Sequence, residues 1–337
     1  MERLMKKKHS LSLATCVVAL SIISFSQGAE ANQVKEKKEA VVHKGGMGFE
    51  ARIGVGYLTG EANEWVYNPQ QNRPESKLTW TLDPVLMVGG GITFRPVSWL
   101  TLNADVWTIV SDSSVMDDWD WIYESSEPSP EWTDWSHHEE TSVEDGLIID
   151  LNASIPVYKT PNYTVQGIIG YLHDHWSWDA TKGGTYIYST DASNGKFRDD
   201  IGVFPLNGKG ITYEQTFDTP YLGIGLGARF NPITINAKVI GSIFVSAEDY
   251  DHHSDKGVKY YGDYSGENMI GLTGEVVYDL TESLSLGAVV NYVHYSTMTG
   301  DTVVNDYGDE GTSTNDPDGC GTELQRTSVN ISLAYRF

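Results

Sequence analysis

The chain has 337 residues and carries 46 Asp and Glu against 23 Lys and Arg, a formal charge of −23. This balance excludes nucleic acid as an expected partner, because a polyanion would be repelled. The 34 Gly, 19 Tyr, 10 Trp and 9 Phe favour a β-rich chain, and the two cysteines, Cys16 and Cys320, are too few for a disulfide framework.

The amino terminus has the pattern of a cleavable secretory signal peptide over residues 1–31. Residues 1–8 are basic overall, residues 11–25 are small and apolar without interruption, and residues 29–31 (AEA) place small side chains two apart. An uncleaved anchor is the alternative, but this run is shorter than the about 20 residues that span hydrocarbon. Cleavage would remove four basic and two acidic residues, which takes the charge to −25, and would leave Cys320 as a single free thiol.

Residues 32–46 are charged and lack alternation, so we interpret them as a flexible leader before the folded domain at 47–337. In that domain apolar and polar residues alternate along nearly the whole chain, for example at 147–157 and 284–291. A soluble sandwich would show the same alternation. The alternating segments reach ten residues or more, however, which is the length that a tilted strand needs to cross a bilayer.

The connections between these segments alternate between short and long. The short ones lie at 95–98, 159–162, 231–232 and 279–282, and the long ones lie near 60–76, 113–141, 180–208, 249–262 and 299–322. Outer-membrane barrels have this asymmetry, with tight periplasmic turns and large outer loops. The chain also ends on an alternating apolar strand that terminates at Phe337, as the closing strand of such barrels does.

Ten strands are predicted in chain order. They lie near 48–59, 77–94, 99–112, 142–157, 163–179, 210–230, 233–248, 263–278, 283–298 and 323–337. The predicted fold class is all-β, a ten-stranded antiparallel transmembrane β-barrel with long extracellular loops and both termini in the periplasm. Because such a barrel is scarcely wider than the eight-stranded type, side chains can fill its interior, and we expect the function to lie in the loops.

Two clusters of acidic residues occur in the predicted outer loops. Residues 116–121 (MDDWDW) open the second long loop, and residues 248–253 (EDYDHH) open the fourth. Such loops can be solvent-exposed segments without a specific function. Asp-rich loops can also bind calcium, although no EF-hand spacing is present. Zinc binding through the adjacent histidines is only weakly indicated, since neighbouring residues on a strand point to opposite sides.

Four tracts carry a family resemblance. They are residues 118–121 (DWDW), 132–134 (WTD), 182–189 (KGGTYIYS) and 197–205 (FRDDIGVFP). These tracts resemble the omptins, the outer-membrane aspartyl endoproteases of Gram-negative bacteria, and the resemblance extends from about residue 49 to residue 337. It implies a ten-stranded barrel in the bacterial outer membrane, with an active site that faces the extracellular side.

The resemblance implies a catalytic set in which an Asp-x-Asp pair faces an Asp-x-His pair across the barrel mouth. Asp118 and Asp120 match the first pair, and Asp251 and His253 match the second. Histidine can take a proton from water while the carboxylate beside it orients the ring. The like-charged Asp118 and Asp120 would share a proton and hydrogen-bond the water or the scissile carbonyl. This chemistry requires no nucleophilic serine, metal or cofactor.

Omptins cleave after a basic residue, and Glu64 and Asp249 match the positions that hold its side chain. Two carboxylates suit a guanidinium group, so the expected partners are cationic peptides or proteins. Ser136 and His138 match family positions near the cleft, for which we expect an auxiliary role.

The family usually needs lipopolysaccharide, bound by basic and polar residues on the barrel exterior. The matching positions here are Tyr171, His173, His175, Thr216 and Glu267, so the expected two arginines and lysine are absent. The sequence therefore leaves open whether lipopolysaccharide is required as an activating lipid. We expect no requirement for an oligomer.

A non-catalytic outer-membrane barrel that acts as an adhesin or structural protein is the main alternative, and a small-solute porin is a third possible function.

The strand that carries the second acidic cluster also sets a geometric condition. If alternation continued unbroken from Val245, Asp251 and His253 would share the parity of the lipid-facing residues. We therefore expect a bulge or a twist in this strand above the membrane, at a place that the sequence does not locate.

Overall fold

A computed structural model describes residues 47–68, 73–122, 131–181, 183–205, 208–254, 256–307 and 312–337. The predicted signal peptide at 1–31 and leader at 32–46 lie outside these residues. The described part of the chain is almost entirely strand, with one 3₁₀ turn at Ala192–Asn194. It holds no helix long and apolar enough to cross a membrane.

The strands form one antiparallel sheet. In chain order they are β1 (Gly48–Asn68), β2 (Arg73–Val97), β3 (Leu100–Ser111), β4 (Ser114–Asp120), β5 (Asp134–Lys159), β6 (Tyr163–Thr181), β7 (Gly184–Tyr188), β8 (Asp200–Phe204), β9 (Lys209–Phe230), β10 (Ile233–Ser242), β11 (Ser246–His253), β12 (Val258–Ser265), β13 (Met269–Asp279), β14 (Leu284–Asp306) and β15 (Thr312–Arg336).

Ten of these strands close a ring. Its order is β1-β2-β3-β5-β6-β9-β10-β13-β14-β15, and β15 pairs back onto β1 from Glu50 opposite Arg336 to Val66 opposite Cys320. The predicted ten-stranded antiparallel barrel is therefore confirmed. Closure leaves no open edge in the ring, as a membrane-spanning sheet requires.

The other strands extend the ring at one end. Strand β4 lies between β2 and β5, and the β11–β12 hairpin lies between β9 and β14, while the β7–β8 hairpin pairs with the top of β5. The described residues of the segments predicted as long loops thus include many strand residues, which corrects the boundaries drawn at 60–76, 113–141, 180–208, 249–262 and 299–322. Hydropathy missed these strands because outside the bilayer their outer face can also be polar, so the alternation is lost.

The ring presents an apolar exterior around a polar interior. Exposed apolar side chains recur at every second residue, as in Ile53, Val55 and Tyr57 of β1 and in Leu222, Ile224 and Leu226 of β9. Inside, Arg52 Nη2 lies 2.8 Å from Asp105 Oδ1, and Lys238 Nζ lies 3.1 Å from Asp150 Oδ2. This arrangement is that of a barrel whose outer belt contacts lipid.

Large side chains fill the barrel above the polar interior. Those that are fully buried include Trp80, Trp176, Trp178, Tyr213, Phe217 and Tyr295. Arg326 Nε donates to Asp174 Oδ1 at 2.7 Å, and the Tyr295 hydroxyl donates to the other carboxylate oxygen at 2.6 Å. Side chains therefore occupy the lumen at this level, and they form a floor under the open end.

The expected bulge is present between β10 and β11. Ile243 and Phe244 are both exposed although they are adjacent, and Val245 is buried. The parity therefore reverses: odd-numbered residues face lipid in β10, but in β11 they face the interior, where Asp251 is 2% exposed. This reversal turns the second acidic cluster inward.

Candidate active site

A cavity of about 300 Å³ lies in the part of the barrel above the apolar belt. Five of the six predicted site residues line it, namely Glu64, Asp118, Asp120, Asp251 and His253. They come from β1, β4 and β11, which are distant in sequence. The structure thus brings the two acidic clusters to one site.

Strand β4 positions the first carboxylate pair. Asp118 and Asp120 are two residues apart, so both side chains point to the same face of the strand. Opposite them on β2, Ser76 Oγ donates to Asp118 Oδ1 at 3.1 Å. Ser76 lies in a segment predicted as loop, and the sequence contains no signal for its role.

Because the two carboxyl groups are partly buried and close together, ionisation of both at once is disfavoured. Burial raises the pKa of Asp118, while the hydrogen bond from Ser76 and the nearby His253 act in the opposite direction. Burial, and then the charge of Asp118, raise the pKa of Asp120 to about 8. The pair therefore retains a proton at neutral pH, and that proton is available to donate a hydrogen bond.

Strand β11 positions the second pair. His253 Nε2 lies 2.7 Å from Asp251 Oδ2, so the carboxylate fixes the plane of the ring and leaves Nδ1 for another partner. The ring of Tyr260 on β12 packs edge-on against the imidazole with 5.7 Å between centroids. Asp251 Oδ1 is buried and has no hydrogen-bond partner among the described residues. Such an arrangement can hold an imidazole in one orientation as a general base.

The substrate-pocket pair is asymmetric. Glu64 is 6% exposed, and its Oε2 has no hydrogen-bond partner in the described part of the chain. Burial, followed by the charges of Asp251 and Asp249, raises the pKa of Glu64 well above its usual range. Asp249 is not among the residues lining the cavity. It accepts hydrogen bonds from Tyr264, Tyr213 and the Gly262 N–H, and its pKa is raised by burial to about 7.

The cavity includes residues that the sequence did not single out. Lys256, which is exposed, lines it together with Tyr260, Ser76 and Trp121. The charge of Lys256 lowers the pKa of both Asp118 and Asp120. These residues share no local pattern, and only the pairing of β2, β4, β11 and β12 places them at one site.

Ser136 and His138 form a separate contact. Ser136 Oγ lies 3.1 Å from His138 Nε2, and His138 Nδ1 lies 3.0 Å from both the Thr181 and the Gly183 carbonyl oxygens. The imidazole ring of His138 therefore connects β5 to the end of β6 and to the segment between β6 and β7.

Within the described ranges, no group of three or more His, Cys, Asp or Glu side chains is arranged to hold a metal ion.

Several polar residues on the exterior of β6 and β9 pair with one another. Tyr171 and His173 both contact Asp218, the latter at 2.7 Å, and His175 Nδ1 lies 2.9 Å from Thr216 Oγ1. Four of the five positions named for the lipid site are therefore already engaged with neighbouring side chains.

Comparisons with known proteins agree with this architecture. The model of the Omptin family matches residues 47–337. The plasminogen activator of Yersinia pestis is 32% identical over 290 residues, which cover 86% of this chain and 89% of that protein. Protease 7 of Escherichia coli K12 is 29% identical over 291 residues, covering 85% and 90%. The crystal structure of the outer membrane protease OmpT from Escherichia coli matches with a TM-score of 0.79 and 29% identity, over 86% of this chain and 97% of that one.

Proposed function

The chain belongs to the omptin family and is an outer-membrane protease, and we propose that it cleaves cationic peptides and proteins at basic residues. One observation carries the proposal: Asp118, Asp120, Asp251, His253 and Glu64 line a single cavity. Both chain ends of the barrel lie at the opposite end from this cavity. With the termini in the periplasm, the site faces the extracellular side.

The proposed chemistry is hydrolysis by an activated water. His253 takes a proton from the water while the water oxygen attacks the scissile carbonyl carbon. Asp251 stabilises the imidazolium that forms. The carboxyl group that keeps the shared proton of Asp118 and Asp120 donates a hydrogen bond to the developing oxyanion. When the carbon–nitrogen bond breaks, the imidazolium returns its proton to the leaving amine. No covalent intermediate is needed.

The two pocket carboxyl groups support the proposed preference for a basic side chain. Glu64 Oε2 is buried without a donor, and Asp249 lies close enough to raise the pKa of Glu64. A guanidinium group would supply the missing donors and stabilise both ionised carboxylates. A neutral side chain would leave the buried oxygen unsatisfied, at a cost of about 1–3 kcal/mol.

An internally quenched peptide with an Arg-Arg centre tests the proposal on the refolded barrel in the presence of lipopolysaccharide. Asp118→Ala and His253→Ala are each expected to lower kcat/KM by about 10²–10⁴-fold. Asp117→Ala and His252→Ala are matched controls, since these neighbours lie on the same strands with the opposite parity, and they should retain activity. Undiminished cleavage in both site variants would exclude this mechanism and favour the adhesin alternative.

We propose further that the enzyme depends less on lipopolysaccharide than the family pattern implies. Tyr171, His173 and His175 pair with Asp218 and Thr216, and the arginines and lysine of the pattern are absent. Activity of the refolded protein in detergent is therefore expected with and without added lipopolysaccharide. Strict dependence on the lipid would contradict this proposal and would leave the proposed catalytic mechanism unaffected.

A further inference from the structure

We propose that Tyr264 is a positioning residue for the substrate pocket, and that its hydroxyl holds Asp249 as the charged member of the Asp249–Glu64 pair before substrate binds. The inference rests on the proposed function, because it assigns how that pocket is preset for a basic side chain. Tyr264 lies outside the two acidic clusters and outside the four tracts that carry the family resemblance.

The two pocket carboxyls have opposite hydrogen-bonding environments. Asp249 Oδ2 accepts from the Tyr264 hydroxyl at 2.7 Å and from the Tyr213 hydroxyl at 3.2 Å, and Oδ1 accepts from the Gly262 N–H at 3.0 Å. Glu64 Oε2 is buried with no hydrogen-bond partner among the described residues, and burial together with the charges of Asp251 and Asp249 outweighs the Trp80 side chain, which acts to lower the pKa of Glu64. Donors favour the ionised form of a carboxyl group, and their absence favours the protonated form. Asp249 is therefore the member of the pair that ionises first.

The sheet builds a slot for the tyrosine ring. Asp249 pairs with Gly262 across the β11–β12 hairpin, and Tyr264 lies two residues further along β12 with 1% of its surface exposed. A Cβ at position 262 would collide with both the Asp249 carboxylate and the Tyr264 hydroxyl, and a Cβ at Gly300 would lie 2.7 Å from Tyr264 Cδ1. Two glycines on neighbouring strands thus leave the space that lets this hydroxyl reach Asp249.

The groups facing Asp249 are acids or neutral donors from five strands. They are Glu64 of β1, Tyr213 of β9, Asp251 of β11, Tyr264 of β12 and Cys320 of β15. Burial raises the pKa of the Cys320 thiol to about 12, so it stays neutral. Asp249 is therefore stabilised by hydroxyl and amide donors rather than by a cation of this set. Its negative charge stays available for a cationic side chain.

Tyr213 is anchored independently of Tyr264. Its hydroxyl lies 3.3 Å from Thr322 Oγ1, and Gln215 Nε2 donates to the same Thr322 oxygen at 2.6 Å. Removing the Tyr264 hydroxyl would therefore leave Tyr213 in place and take away the shorter of the two hydroxyl bonds to Asp249. The pKa of Asp249 would rise, and at neutral pH both pocket carboxyls would hold protons.

Tyr264→Phe tests the inference, with Tyr261→Phe as a matched control on the other face of the same strand. For the Arg-Arg peptide at pH 7, we expect Tyr264→Phe to raise KM about fivefold and to change kcat less than about twofold, because a rise of about one unit from a pKa of about 7 lowers the ionised fraction of Asp249 from about one half to about one tenth. The pH at which KM begins to rise on acidification should shift upward by about one unit. A KM profile that coincides with that of the unaltered protein would overturn the inference.

A double-variant cycle separates positioning from general damage. If Tyr264 acts through Asp249, then Tyr264→Phe added to Asp249→Asn causes no further loss, whereas an additional loss of equal size would overturn the inference. Should Tyr264→Phe fail to refold, Tyr213→Phe is expected to change KM in the same direction by a smaller factor, and an unchanged KM would count against it. Failure of the unaltered protein to cleave the peptide would instead contradict the proposed function.

Discussion

At the residue scale, the proposed chemistry of the site depends on which carboxyl groups keep a proton. Burial is the main cause that raises the pKa of Asp118, Asp120, Asp249 and Glu64, and the charges of neighbouring carboxylates add to it for all but Asp118. Composition predicted an excess of acid, but it could not predict these pKa values, because burial and proximity arise only on folding.

The pH dependence of kcat should report the Asp118–Asp120 pair. The pair keeps a proton while the pH stays below the Asp120 pKa of about 8, and the proposed mechanism uses that proton. We therefore expect kcat for the Arg-Arg peptide to fall on the alkaline side with an apparent pKa near 8 that belongs to the pair. A kcat that stays constant well above that pH would show that the proton is not required.

Asp120 should also lower the stability of the barrel as the pH rises. Its pKa is about 8 in the folded protein and about 3.9 in the unfolded chain, so the folded state binds more protons between these values and becomes less stable toward alkaline pH. Asp120→Asn removes this titration. We expect it to raise the free energy of unfolding in urea by about 1–2 kcal/mol at pH 8.

The gain from Asp120→Asn should disappear at about pH 3, where the carboxyl group is protonated in both states because the pH lies below both pKa values. Cleavage should be lost in the same variant. An equal gain at both pH values would assign the effect to packing rather than to charge.

At the scale of elements, the bulge between β10 and β11 decides whether the second acidic cluster serves the site. Ile243 and Phe244 are exposed in succession, which reverses the parity of the strand before Asp251. The sequence required a bulge somewhere after the apolar segment, yet it could not locate the bulge. Its place follows from where β9 stops pairing with β10 and resumes pairing with β11.

Deleting Phe244 should restore the parity and turn Asp251 and His253 outward, because a one-residue slip moves every following side chain to the other face. The deletion variant is expected to refold with its apolar belt intact and to show no cleavage. Phe244→Ala keeps the residue count and should remain active. Electrophoretic mobility before and after heating would monitor refolding, and an active deletion variant would contradict the role of the bulge.

At the scale of the whole molecule, the excess of acidic side chains creates a negative electrostatic field around the open end of the barrel. Exposed acids beyond the belt include Glu139, Glu140, Asp199, Asp200 and Asp263. Such a field raises the association rate of cationic substrates, and salt screens it over a Debye length of about 10 Å at 0.1 M. For a peptide with several basic residues, kcat/KM should fall on the order of tenfold between low and high salt, with kcat nearly constant.

A peptide of the same length whose only cations are the Arg-Arg pair provides the control for this salt effect. Its kcat/KM should depend less on ionic strength, because fewer charges experience the field. Equal salt dependence for both peptides would locate the effect in the pocket rather than in the outer surface.

The sequence by itself determined the strand number and the antiparallel order, because lipid on one side of a strand imposes a local period of two that can be read without a structure. The candidate site residues followed from the family resemblance of short tracts such as residues 118–121. Tertiary structure decided the rest. It extended the strands beyond the belt, located the bulge, left Glu64 Oε2 without a hydrogen-bond partner among the described residues and placed Ser76, Tyr260 and Tyr264 beside the acidic residues. These relations join strands that are far apart in the chain, and they exist only once the ring has closed and fixed their register.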